Sequence, residues 1–309
     1  MNHQPKTRTA CIIPTYNGRG DLERLLNSLD KQIGIRFDTI IIDSCSSDGT
    51  ADLAKSRSDK MYSIASEKFN HGGTRQLVIN SNPEYDFYIF LTQDAYLEDE
   101  YSLRNIVEPF KNESVGAVCG RQLPHLDANK FAAHARIFNY GSKSQIKELS
   151  DARTLGIKAP FLSNSFSAYR GKMLEEIGGF PAHVILSEDM YVGAKCLLSN
   201  WKISYAGDAC CRHSHNYTLA EEFRRYFDIG VFHAREPWVI EKFGGAGGEG
   251  LRFVKSELAF LGFKNIHLWP QAGLRNFLKL AAYKLGKHES YLGQRFKKRL
   301  SMHKKYWNT

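Results

Sequence analysis

Hydrophobic residues fall into short blocks along the first half of the chain, and the spacing between blocks switches to a helical period. Apolar, β-rich runs occupy residues 10–13, 39–42, 61–65, 87–91 and 115–119, the signature of strands. Between the first two, Leu22, Leu25, Leu26 and Leu29 recur at i, i+3, i+4 and i+7 behind Asp21, which predicts a helix capped by Asp21 with one face on a sheet. The stretch DSCSSDGTADLAKS after the second run reads as a turn entering a second helix, with Ser47 or Asp48 as its cap. Further on, residues 188–200 and 219–236 have helical patterning and 202–207 reads as another strand. Strands alternating with helices predict an α/β fold with a mostly parallel, Rossmann-like sheet. Between residues 120 and 160 the pattern weakens, and a helical or irregular insertion that walls a cleft is expected there.

A glycine-rich stretch at 243–250 separates this body from a different kind of sequence. Beyond it Leu274, Phe277, Leu278, Ala281 and Leu285 form an apolar stripe among Arg275, Lys279, Lys284 and Lys287, a basic amphipathic helix. Charge follows the same boundary: residues 1–249 hold 29 Lys/Arg against 31 Asp/Glu, and 250–309 hold 13 against 2. The overall +9 therefore belongs to the C-terminal region and points to an anionic partner, a membrane surface or a nucleic acid. The apolar stripe favours the membrane, because it would be wasted on phosphates. The expected organisation is a body at 1–249, with a nucleotide-binding part at about 9–120 and an acceptor or catalytic part at about 121–249. A basic amphipathic helical region follows at 250–309.

With 42% hydrophobic residues in 309 the chain can bury a full core. No run approaches the roughly eighteen continuous apolar residues that a spanning helix needs, and the N-terminal apolar run is short and broken by Pro14. The six cysteines show no CxxC pairing and read as reduced, mostly buried thiols of a cytoplasmic protein. A Gly245, Gly247, Gly250 match to GxGxxG follows no predicted strand and so reads as a hinge, not as a dinucleotide site.

Three constellations carry candidate chemistry, each also made of residue types that turns and caps use. Pro14, Thr15, Tyr16 and Asn17 end the first strand, and Asp43 ends the second; a carboxylate there can accept from a base or ribose, with Tyr16 framing the base. Gln93 and Asp94 follow the strand 87–91, where a carboxylate can hold a divalent cation against a departing diphosphate. Glu188 and Asp189 open a helix, and His213 and His215 follow the next strand. A carboxylate can deprotonate an incoming hydroxyl, and imidazoles suit Mn2+-like ions.

Five ordered segments together resemble glycosyltransferase family 2 with its GT-A fold: CIIPTYNGRGDLERLLNSL, IIIDSCSSDGT, FYIFLTQDAYLEDE, the Gly178-Gly179-Phe180 motif and SEDMYVGAKCLLSNWKISYAGDACCRHSH. The resemblance covers roughly residues 9–236. It implies that Asp43 contacts the nucleobase, Asp94 holds the metal, Asp189 is the base beside Glu188, and His213 or His215 completes the metal site. Thr92 stands where the family's DxD motif has its first carboxylate.

FNHGGTRQ, LTQDA and HSHNYTL together look like the rhamnosyltransferase branch. That implies a dTDP-L-rhamnose donor, Mg2+ or Mn2+, inversion at the anomeric carbon and a saccharide or polyprenyl-linked acceptor in cell-surface polysaccharide such as O-antigen. In that branch Asn70, Gly72 and Arg75 would meet the donor, the glycines allowing close backbone approach and Arg75 binding the diphosphate. The protein would then lie peripherally on the inner face of the cell membrane and bind no nucleic acid, with self-association left open. The alternatives are a family 2 transferase for another UDP- or dTDP-sugar, or a sugar-phosphate nucleotidyltransferase. The latter is disfavoured because PTYNGRGD lacks a longer glycine-rich phosphate loop.

Overall fold

The computed structural model describes residues 7–245 and 248–308. Nine strands form one mixed sheet: β1 (Thr9–Thr15), β2 (Asp38–Asp43), β3 (Lys60–Ser63), β4 (Phe87–Leu91), β5 (Tyr96–Leu97), β6 (Val115–Leu123), β7 (Gln145–Lys147), β8 (Phe166–Arg170) and β9 (Lys202–Arg212). The first helices are α1 (Arg19–Leu29), α2 (Thr50–Arg57), α3 (His71–Asn80), α4 (Ser102–Val107), α5 (Lys130–Asn139) and α6 (Ala152–Leu155). They are followed by α7 (Gly171–Ile177), α8 (Glu188–Leu198), α9 (Leu219–Arg235), α10 (Pro237–Phe243), α11 (Glu249–Leu261), α12 (Trp269–Lys287) and α13 (Gln294–Leu300).

Strand order is β3-β2-β1-β4-β8-β6-β9-β5, with β7 on β9. The strands from β3 to β4 run parallel, as does β6 with β9, while β8 inserts antiparallel between β4 and β6. Alternate residues serve opposite faces: Ala10, Ile12, Ile40 and Ile42 enter one core, and Cys11, Ile13 and Ile41 enter the other. Helix α1 closes the second core with Leu22, Leu25, Leu26 and Leu29, as their spacing predicts. Because parallel strands end together, the loops after β1, β2 and β4 meet at one edge, where open α/β sheets bind their ligands.

Several local expectations shift. Asp21 lies inside the first turn of α1, not at its cap, and there favours the positive end of the helix dipole. Gly49, at φ +86°, occupies the cap of α2, while the Asp48 carboxylate accepts from the Thr50 N–H at 3.0 Å. The third strand begins at Lys60 and ends at Ser63, and β9 continues past Gly207 to Arg212. The insertion after β6 contains α5, β7 and α6. Of the stretch read as a hinge, residues 246 and 247 lie outside the described residues.

The basic C-terminal region is built into the body. Helices α9 and α12 cross at two glycines so closely that a Cβ on Gly286 would lie 2.0 Å from the Phe227 carbonyl oxygen, and one on Gly230 2.2 Å from that of Tyr283. Helix α12 is rotated relative to its amphipathic reading: Arg275 and Lys279 face inward, each 2.9 Å from the Glu222 carboxylate, while Leu274, Phe277 and Leu280 are exposed. Among the described residues no helix is long and apolar enough to cross a membrane. After α13 the chain returns to the body, where Asp228 accepts from the backbone of Met302 and His303, and Lys305 donates to the Ser66 carbonyl.

The glycine crossing yields a stability prediction. Since the atoms in the way are backbone, Gly286→Ala should destabilise the protein by about 1–3 kcal/mol in chemical denaturation, whereas Gly293→Ala, with open space around it, should cost far less. Equal stability of both variants would show that the α9–α12 seam is not tightly packed.

Candidate active site

Two loops make the floor of the crevice. Asp43, only 1% exposed, accepts from the Thr15 hydroxyl at 3.0 Å and from the Ser46 N–H and hydroxyl at 2.8 and 2.6 Å. The loop after β2 is sewn to the loop after β1, because the Asn17 N–H donates to Ser46 Oγ and the Ser47 N–H to Asn17 Oδ1, both at 2.9 Å. The carboxylate expected on a nucleobase is thus buried beneath the loop that it folds. Tyr16 stands half-exposed at the rim with its ring available for stacking.

Gln93 is held by the chain itself. Its amide grips the Tyr16 backbone, Oε1 accepting from the N–H at 2.8 Å and Nε2 donating to the carbonyl at 3.0 Å, and so ties the loop after β4 to the loop after β1. Its neighbour Asp94 has one carboxylate oxygen 3.5 Å from His213 Nε2 and 3.7 Å from His215 Nδ1. The candidate ligand atoms of these three residues all lie within 4.8 Å of one another. Burial would raise the Asp94 carboxyl, but the hydrogen bond and charge of His213, then the charge of His215, hold it well below the usual range. Burial lowers both imidazoles, His215 to about 3. One ionised carboxylate and two neutral imidazoles at this separation fit a divalent cation, and His213 is further oriented by Nδ1 at 3.0 Å from Gln122 Oε1.

The second centre lies at the start of α8. Ser187, at φ +63°, turns the chain so that Glu188 points inward and Asp189 stays partly exposed. Glu188 is fully enclosed against Arg75 at 3.1 Å and the Asn164 amide at 2.9 Å. Arg75, itself 3% exposed, also donates to the His71 carbonyl at 2.7 Å. Arg75 therefore departs from the expected diphosphate contact, since its charge is spent on a buried carboxylate that would otherwise be costly. Gly72 departs too: a Cβ there would lie 1.9 Å from the Pro181 carbonyl oxygen, so chain packing, not a donor, requires the glycine. Asn70 caps α3, its side chain accepting from the Gly73 N–H at 2.8 Å.

The paired carboxylates are driven apart in acidity. Burial would raise Glu188, but the charges of Arg75 and His71 together with the hydrogen bonds of the Asn164 amide and its own backbone N–H hold the group low. Burial and then the negative charge of Glu188 raise Asp189 well above the ordinary carboxylate range, although its oxygens accept from the Asn164 and Met190 N–H groups. A carboxylate of raised pKa that reaches solvent beside a buried ionised partner is a candidate general base.

Three residues outside the sequence expectations complete the site. Gln122 binds His213 through Oε1 and donates from Nε2 to Ser163 Oγ at 2.9 Å. Next to Ser163, Asn164 holds both Glu188 and Asp189 and accepts from the Ser167 and Tyr169 hydroxyls at 2.9 and 2.7 Å. The Asp94–histidine cluster and the Glu188–Asp189 pair are therefore linked by one continuous polar chain across β6 and the entry to β8. Arg225 is exposed on α9, and its charge acts on His71, His215, Tyr217, Asp228 and His303. It makes no hydrogen bond or ion pair with a described residue. Nothing in the local sequence sets these three apart, since Gln122 follows Arg121, Asn164 lies between two serines and Arg225 follows Arg224.

Comparison with known proteins bears on the family and the fold. The profile of Glycosyl transferase family 2 matches residues 10–178. The chain is 50% identical over 299 residues to the O-antigen chain rhamnosyltransferase WbaN of Salmonella anatum, covering 96% of this chain and 95% of that one. The O-antigen chain rhamnosyltransferase RfbN of Salmonella typhimurium matches with the same identity and coverage. In fold it is similar to the mannosyltransferase PcManGT from Pyrobaculum calidifontis, solved with GDP-Man and Mn2+, with a TM-score of 0.63 at 16% identity over 94% of this chain and 89% of that one. Staphylococcus aureus TarS 1-349, solved with UDP-GlcNAc, gives a TM-score of 0.55 at 16% identity over 92% and 91%. A sheet with its loops gathered at one edge, a carboxylate–histidine cluster and an opposed carboxylate pair thus accompany end-to-end sequence likeness, and the chain belongs to glycosyl transferase family 2.

Proposed function

We propose that the protein is an inverting rhamnosyltransferase that moves L-rhamnose from dTDP-L-rhamnose onto a lipid-linked saccharide in O-antigen synthesis. The observation that carries this reading is the 50% identity over nearly full length to two O-antigen chain rhamnosyltransferases. Asp189 takes the proton of the acceptor hydroxyl, whose oxygen attacks the anomeric carbon from the face opposite the departing dTDP, so configuration inverts. Glu188, ionised against Arg75, keeps Asp189 basic by its charge. Asp94, His213 and His215 would hold Mg2+ or Mn2+, which when bound offsets charge on the leaving diphosphate. Tyr16 stacks on the base, framed by Pro14, Thr15 and Asn17, above the loop that Asp43 fixes. Arg225, not Arg75, is the guanidinium for the diphosphate, supported by its exposure and its charge on His215. The exposed Leu274, Phe277 and Leu280 of α12, with Phe263 and Ile266 before it, support peripheral attachment to the inner face of the cell membrane.

Three outcomes test the reading. Asp189→Asn should abolish transfer while dTDP-L-rhamnose still raises the melting temperature; wild-type turnover in that variant excludes Asp189 as base. In the wild type, kcat/KM should fall as pH drops through the raised pKa of Asp189, since the base must be ionised to act. A rate that stays flat down to the ordinary carboxylate range, about pH 4, would contradict it. Arg225→Ala should raise KM for dTDP-L-rhamnose by roughly tenfold or more, the worth of a charge-assisted hydrogen bond, and an unchanged KM would remove Arg225 from the donor site.

A further inference from the structure

A shallow cavity of about 370 Å³ lies between α9, α12 and α13, walled by Leu219, Phe223, Leu278 and Leu300. At its edge stand Arg224 and Arg299, neither of which makes an ion pair or side-chain hydrogen bond with a described residue. They contrast with the inward cations of α12, since Arg275 and Lys279 both pair with Glu222. An apolar trough with two uncommitted guanidiniums complements an amphiphile with a doubly charged head.

We propose that this groove binds the diphosphate and first isoprenoid units of the lipid that carries the acceptor saccharide, a proposal that rests on the reading of the acceptor as lipid-linked. Two guanidiniums match a diphosphate better than the single phosphate of a bulk phospholipid. The cavity accommodates only the start of a long chain, and Leu278 continues along α12 into Leu274, one turn earlier, and then the exposed Phe277 and Leu280. The remainder of the lipid would follow that surface into the bilayer. Arg224 and Arg225 are consecutive on α9 and project about 100° apart. The groove and the crevice holding His215, on which the Arg225 charge acts, therefore lie on adjacent flanks of one helix.

The test is flotation of the full-length protein with phosphatidylcholine vesicles carrying either a long-chain polyprenyl diphosphate or phosphatidylglycerol at matched charge. Wild type should bind the first more tightly, and Arg224→Ala/Arg299→Ala should lose roughly tenfold or more of that affinity, with Lys at both positions restoring part of it. In turnover, the alanine variant should raise KM for a lipid-linked acceptor while matching wild type on the same saccharide without lipid. Equal binding to both vesicle types, retained affinity in the alanine variant, or equal losses on both acceptors would each overturn the proposal. Flotation needs neither donor nor turnover, so an error about the sugar would leave its result unchanged.

Discussion

Two adjacent carboxylates at a buried helix start cannot both be left to themselves, and this site depends on how that conflict is resolved. Arg75 and the Asn164 amide take Glu188 out of solution as an ion. Asp189, one residue on, then feels its own burial and the negative charge of Glu188, which together exceed the opposing pull of the Asn164 and Met190 N–H groups and of Arg75. Breaking a buried pair by removing one partner typically costs about 3–5 kcal/mol, so Arg75 contributes to the fold by pairing Glu188, and it keeps ionised the neighbour whose charge raises Asp189 while its own charge pulls that group the other way. The glycine at 72 belongs to the same arrangement, because only a bare backbone lets the start of α3 pass against Pro181 beside Glu188.

The rest of the site is joined to that pair by side-chain amides. Gln122 and Ser163 connect the Asp94–histidine cluster to Asn164, and Gln93 connects the loop bearing Asp94 to the loop bearing Tyr16. Asn17, Cys45 and Ser187 adopt left-handed backbone conformations in these same loops, strain that persists only where surrounding structure fixes it. At the far end of the chain, His303 packs its ring 4.7 Å from that of His71, so the last residues buttress the start of α3.

Much of this was legible from residue order alone. Strands β1, β2 and β4 and the packing face of α1 follow from hydrophobic spacing, whereas the grouping of Asp94 with His213 or His215 comes from the resemblance to the family. Strand β8 was missed because five residues, FSAYR, are too short for a periodic signal and lie antiparallel among parallel neighbours. Arg75 and Gln93 were placed against the donor because residue type gives the chemistry a side chain offers, not the partner that tertiary structure supplies. The periodicity of α12 identified an apolar stripe but not which side of it would face the body. Glu222, 53 residues before Arg275, decides that by drawing two cations inward.

The central claim is that one crevice holds a cation-ready cluster on one side and a base on the other. Crystals grown with Mn2+ and dTDP and measured at the manganese absorption edge would test it most directly. The account predicts a single strong anomalous peak bonded to Asp94, His213 and His215 and to the diphosphate, with the Asp189 carboxylate opening into the same crevice. Manganese bound elsewhere, or Asp189 facing a separate cavity from the nucleotide, would contradict it.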